Sequence, residues 1–175
     1  MGIDNLIARF ERLPGARVGF GPEHPKSPDR SLWPKVNAFF EAYPGLRRDH
    51  GYVEFMLKYA GASLADPQRT QLLDIFGFSG VTADILTDLD APVVDEDGYL
   101  MFADATIHSG PDESRDICTY SFAFNLQPDR EWNVHVWIST LRTRDASYVP
   151  HTDSFESFLA EAVNRGGRFD RPAFD

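Results

Sequence analysis

Apolar side chains recur along the chain in two periods, and the change from one to the other outlines the fold. Ile3, Leu6, Ile7 and Phe10 fall on one helical stripe, predicting a short amphipathic helix that ends at Leu13-Pro14-Gly15. Leu32, Val36, Phe39, Phe40 and Tyr43 repeat at the same spacing, with Ser31 as the expected N-cap and Pro34 in the first turn. A third stripe, Tyr52, Phe55, Met56, Tyr59 and Ala60, stops at Gly61. From there the period shortens. Gln71 to Phe78 reads as a strand, residues 82–97 mostly as loop, and Asp97-Gly98 as a turn leading into a strand from Tyr99 to Ile107. In Ile117 to Leu126 the positions Cys118, Tyr120, Phe122, Phe124 and Leu126 alternate with polar neighbours. In Trp132 to Thr140 one row holds Trp132, Val134, Val136 and Ile138 and the other Asn133, His135, Trp137 and Ser139. Phe155, Phe158, Leu159, Ala162 and Val163 form a closing helix, with Thr152 or Asp153 as its expected cap and Gly166-Gly167 as its end.

Short connections between successive strands demand antiparallel neighbours, because parallel ones need long crossovers. The pattern therefore predicts an α+β fold: an antiparallel sheet of about four to six strands, with helices packed on one face and at the termini. Between Pro14 and Arg30 there are seven Pro or Gly in 17 residues, which reads as a linker. The expected organisation is an N-terminal helix and linker over 1–30 and one α+β domain over 31–170.

Composition narrows the class. A chain of 175 residues with 42% hydrophobic and 25% charged side chains suits one globular core. No stretch approaches the ~20 apolar residues of a membrane span, the first residues lack a basic and apolar leader, and Leu6 stands where a myristoylation signal has Ser or Thr. A single cysteine, Cys118, gives neither a disulfide framework nor a multi-thiolate metal site, and its place on an apolar row predicts a core thiol. A cytoplasmic protein without membrane attachment or cofactor is expected.

Charge changes the picture more. Of the net −10, residues 81–116 supply −9, with ten acids against Arg115. Such a field repels phosphate backbones, so nucleic acid is not an expected partner, whereas a basic protein surface is. Searches for chemistry return little. Gly19-Phe20-Gly21 lacks the remaining glycine of a dinucleotide loop. Asp95-Glu96-Asp97-Gly98 fails as a calcium loop, because Val93 and Asp104 fall where the first and twelfth ligands belong. The five histidines show no paired metal spacing; a site of His108 with Asp104 and Asp112 would have to be assembled by the fold. A small enzyme using Asp104 or His135 and a tyrosine in a pocket stays open as an alternative, as does an intracellular scaffold.

The order of elements carries a resemblance. Tyr52-Val53-Glu54-Phe55-Met56-Leu57-Lys58-Tyr59-Ala60-Gly61 is similar to the Y-x-x-F-L-x-x-Y-G-G segment of the SMI1/KNR4 (SUKH) superfamily. Phe76-Gly77-Phe78 resembles that family's first strand with its trailing glycine, Tyr99 to Asp104 the strand after its polar loop, and Ser154 to Leu159 its closing helix. The likeness runs from Ser31 to Asn164. It implies an α+β fold without catalytic residues, and bacterial relatives that act as immunity proteins, neutralising polymorphic toxins by binding them. The joint expectation is a non-enzymatic binding protein that masks a basic toxin domain, possibly a nuclease, through Asp95, Glu96, Asp97, Asp112, Glu113 and Asp116. These acids flank the strand Tyr99 to Ile107, and which of Tyr99, Phe102 or Trp137 faces outward between them is left to the fold.

Overall fold

A computed structural model describes residues 2–65, 71–80, 94–108, 117–140 and 147–169. Within these, four α-helices, α1 (Ile3–Phe10), α2 (Trp33–Ala42), α3 (His50–Lys58) and α4 (Phe155–Asn164), accompany seven strands. The strands are β1 (Ala16–Val18), β2 (Ala62–Ala65), β3 (Gln71–Ile75), β4 (Tyr99–His108), β5 (Ile117–Asn125), β6 (Val134–Thr140) and β7 (Val149–Thr152). They form one antiparallel sheet in sequence order, each strand paired with the next. The α+β class holds, with a strand count slightly above that expected.

The three additional strands are short. Ala16–Val18 pairs with β2 inside the stretch expected to be linker, and Ile3, Leu6, Ile7 and Phe10 of α1 are at most 1% exposed in the same core cluster as the later helices. Helix α1 therefore packs into the same core as the later helices, and β1 joins the sheet through β2. Helix starts also differ from expectation. Ser31 sits in a 3-10 turn over Arg30–Leu32 capped by Asp29, and α4 is capped by Ser154, whose hydroxyl accepts from Ser157 N. Gly166 and Gly167 end α4 at φ +61° and +77°, the left-handed region a helix C-terminus uses.

The helices cover one sheet face. Tyr52 of α3 and Phe155 of α4 each make ring contacts with Phe102 of β4; Tyr52 also meets Phe124 and Phe158 meets Phe122. This is the apolar row read from the alternation of β5, although Cys118 near its end is only partly buried, not core. At Phe102 the β4–β5 register shifts: Met101 opposes Ala123 but Ala103 opposes Phe122. This bulge lets both Phe102 and Ala103 face the core and turns Asp104 to the other face. Asp49 ties the layers together. Only 3% exposed, it caps α3 by accepting from Tyr52 N (2.9 Å), and its other oxygen accepts from Phe155 N at the start of α4 (2.7 Å) and from Trp132 Nε1 (3.3 Å).

Ala60 and Gly61, the pair that follows α3, both adopt positive φ (51° and 133°). The Ala60 carbonyl accepts from Phe78 N and Ser79 N, which brings the Phe76-Gly77-Phe78 segment against the end of the helix. A Cβ on Gly77 would lie 1.9 Å from that carbonyl oxygen, so this close approach requires glycine.

Candidate functional site

Three of the six predicted acids lie on one structured turn. Asp95 Oδ1 accepts from Asp97 N (3.0 Å) and Tyr99 N (2.8 Å), and Gly98 supplies the positive φ of 80° that closes the turn into β4. Gln127 Nε2 donates to the Asp97 carbonyl (2.7 Å) from the facing β5–β6 connection. Asp95, Glu96 and Asp97 are exposed. Asp112, Glu113 and Asp116 lie outside the described residues; the other end of β4, His108, pairs with Ile117.

The aromatic question has a clear answer. Phe102 is 1% exposed and stacked on Phe124 in the core. Tyr99 points to the face without described helices, but Tyr148 stacks on it at 4.5 Å and leaves it 8% exposed. Trp137, on the same face, is 37% exposed, with its ring 6.1 Å from Tyr148. Tyr148 was not singled out from the sequence, since nothing in the pattern after Thr140 shows where the chain returns. Burial pushes the Tyr148 hydroxyl up to about 12, with the charge of Asp95 and then Tyr99 adding to the shift. The acidic turn and the aromatic rings meet at Tyr99, whose N–H donates to Asp95 Oδ1 and whose ring stacks on Tyr148.

The same face carries buried polar groups. Following the printed register across the sheet, Arg17, Ser63, Asp74, Asp104, Ser121 and Trp137 form one cross-strand row. Asp74 and Asp104 are directly opposed, and burial followed by the Asp74 charge raises Asp104 to about 6. His135 stands with its ring 5.0 Å from Tyr99, and burial pulls its pKa down against a backbone hydrogen bond at Asn133 that raises it. Asp104, His135 and a tyrosine thus share a face. No described hydrogen bond joins His135 to Tyr99 or Asp104, and no group of three metal-ligating side chains occurs among the described residues. The side chain of His108 and all of Asp112 fall outside the description, so that candidate set is not assembled from what is described.

A cleft of about 290 Å³ opens elsewhere, between α1 and residues 20–27, lined by Asp4, Glu11, Phe20, His24, Lys26 and Tyr59 among others. Two of its polar groups are engaged internally: Asp4 accepts from Lys58 Nζ (2.7 Å) and Tyr59 Oη (2.8 Å), and His24 Nδ1 accepts from Lys26 N and Ser27 N. No described helix is long and apolar enough to cross a membrane. Comparison with protein-family models, with curated proteins and with solved structures returns no match.

Proposed function

We propose that this is a non-enzymatic binding protein of the immunity type, acting in the cytoplasm, that neutralises a toxin by covering a basic surface of it. The observation that supports this reading is the joining of an exposed, hydrogen-bonded acidic turn to an aromatic step on one sheet face. Charged groups at the rim of an interface steer association, whereas central aromatics supply most of the affinity. The two parts are linked through Tyr99, which donates its N–H to Asp95 Oδ1 and stacks on Tyr148. The resemblance of residues 31–164 to the SMI1/KNR4 superfamily points the same way.

The test is to look beside this gene for a coding sequence of a basic toxin domain and to measure the association of that domain with this protein by stopped flow across 25–300 mM salt. Because Asp95 Oδ1 holds the turn, the informative variant is Asp95→Asn with Glu96→Gln and Asp97→Asn, which keeps oxygen acceptors and removes three charges. We expect association at low salt to slow by about tenfold and its salt dependence to flatten, with dissociation little changed. An unchanged association rate and salt slope would reduce the acidic turn to solubilising surface and refute the reading.

A further inference from the structure

We propose that the cleft between α1 and residues 20–27 binds a small zwitterion, a free α-amino acid with an apolar or aromatic side chain. The site shares no residue with the acidic turn, and the proposal stands apart from the binding reading above.

Both walls of the cleft are fixed by the fold. Asp4, Ile7, Ala8 and Glu11 recur at helical spacing along α1 and its C-cap, so one face of the helix makes the first wall, with Asp4 and Glu11 two turns apart, ~10 Å. The segment that makes the second wall is pinned to the end of α3. Gly21 N donates to the Lys58 carbonyl (2.8 Å), Glu23 N donates to the Leu57 carbonyl (2.8 Å), and the Gly21 carbonyl accepts from His24 N and Asp29 N. A Cβ on Gly21 would collide with the Leu57 carbonyl oxygen, so this close approach requires glycine. The Gly19-Phe20-Gly21 run thereby holds Phe20 at the cleft, and at 50% it is the most open of the exposed large hydrophobic side chains among the described residues. Its ring meets His24 at 4.7 Å and His24 meets Tyr59 at 5.6 Å, so three rings run from exposed Phe20 to buried Tyr59. His24 is kept neutral: its Nδ1 accepts from two backbone N–H groups, which leaves the ring proton on Nε2, and burial lowers its pKa.

The charges select the ligand. Asp4 is already matched by Lys58 Nζ and the Tyr59 hydroxyl. Glu11 on the helix wall and Lys26 on the facing segment are exposed, and neither side chain has a hydrogen-bond or ion-pair partner among the described residues, the other included. A simple cation would be drawn by Glu11 but repelled by Lys26, and a simple anion the reverse. A molecule that carries an ammonium and a carboxylate suits both walls at once. Glu11 lies at the C-terminal end of α1, where the helix dipole also favours the ammonium. Ile7, Ala8 and Phe20 are then left to receive an apolar side chain, and the cleft's volume of about 290 Å³ lies at the lower end of small-molecule sites, ~300–1,000 Å³.

The experiment follows the backbone amide signals of the isotope-labelled full chain by NMR during separate titrations with L-phenylalanine, phenethylamine and phenylpropionate. The last two keep the ring and carry only one of the two charges. L-Phenylalanine is expected to shift the signals of Gly21, His24 and Ser27 saturably, with each single-charge analogue about threefold weaker or more. Glu11→Gln should weaken phenylalanine and phenethylamine by about two- to fivefold and spare phenylpropionate, and Lys26→Gln should weaken phenylalanine and phenylpropionate and spare phenethylamine. Phe20→Ala should weaken all three by about three- to tenfold. The three replaced side chains are exposed, so the variants should keep the wild-type spectrum away from the cleft. No saturable response to phenylalanine, a single-charge analogue that binds as tightly, an affinity unchanged in both charge variants, or shifts confined to residues outside 4–11 and 20–27 would each overturn the site. Such a failure leaves the salt-dependent association with a protein partner to stand or fall by itself.

Discussion

Replacing Asp49 with Ala should be among the most damaging single changes to this fold, because one buried carboxylate serves three donors from three parts of the chain. Oδ1 caps α3 at Tyr52 N, and Oδ2 receives Phe155 N from α4 and, at a longer 3.3 Å, Trp132 Nε1 from the β5–β6 connection. Loss of an N-cap costs ~0.5–2 kcal/mol. A hydrogen bond to a charged group contributes ~1.5–3 kcal/mol, and a donor left buried without a partner carries its own desolvation penalty. The Trp132 bond is long and counts for less. Since the three act through one group, they do not add in full, and we expect about 3–4 kcal/mol. Against a typical total of ~5–15 kcal/mol that is a large share. Urea unfolding followed by far-ultraviolet circular dichroism measures it without relying on fluorescence from Trp132, which sits at the altered site. Asp49→Asn gives the graded comparison: an amide can keep the Oδ1 bond to Tyr52 N but turns its NH₂ toward two donors, so about 2 kcal/mol should be lost. If Asp49→Ala lay within 1 kcal/mol of wild type at an unchanged denaturant slope, the account of Asp49 as the tie between α3, α4 and β5–β6 would be wrong.

Asp104→Asn should stabilise the protein at neutral pH. Its folded pKa is raised from 3.8 to about 6, so the folded state holds a proton that the unfolded state has released between those values. The stability this proton confers is present below about pH 4 and is lost as the pH rises through about 6; allowing for its partial exposure, the variant should gain about 1–2 kcal/mol at pH 7.5 and almost nothing at pH 4, read from paired urea titrations. Gly77→Ala should cost more than ~3 kcal/mol or prevent folding, because the added Cβ meets backbone at Ala60, 1.9 Å from its carbonyl oxygen, rather than a side chain that can move; a thermal melt within a few degrees of wild type would contradict this.

The parts of the fold that were legible in sequence are those with a strong period. All four helical stripes and the alternation of β5 are found where they were expected; β6 starts at Val134 rather than Trp132, and Ile138 of its apolar row is 40% exposed. The strands that were missed have no period to read. Ala16–Val18 is three residues long, Ala62–Ala65 is buried at three successive positions, and Val149–Thr152 contains Pro150, which argues against a strand except at a sheet edge, where this one lies. At the site, the exposed acidic turn was readable from Asp97-Gly98. The pairing of Asp104 with Asp74 was not, because simple alternation places Leu100, Phe102 and Asp104 on one face. The bulge at Met101–Ala103 reverses that, and a one-residue change of register moves every following side chain to the other side. Asp49 was not singled out from the sequence, since its bonds to Phe155 and Trp132 depend on the whole fold.

The division of labour between the two sheet faces bears on where binding energy can come from. One face is spent on the helices. The row on the other, from Arg17 through Asp74 and Asp104 to Trp137, crosses six strands, ~24 Å at the usual strand spacing. An interface of ~800 Å² per partner is about that wide. The middle of the row offers a partner little, since Ser63, Asp74 and Ser121 are 3–7% exposed. The Asp74 carboxylate can attract at a distance, but contact must be made where side chains reach the surface. Of the row's large side chains, Arg17 and Trp137, at its two ends, are exposed, and Trp137 is the aromatic one, with Tyr148 beside it. A partner bound at this end would therefore gain its steering from acids spread along the sheet and its affinity from a small aromatic step, which is why removing charge should act on the rate of arrival and removing Trp137 on the rate of departure.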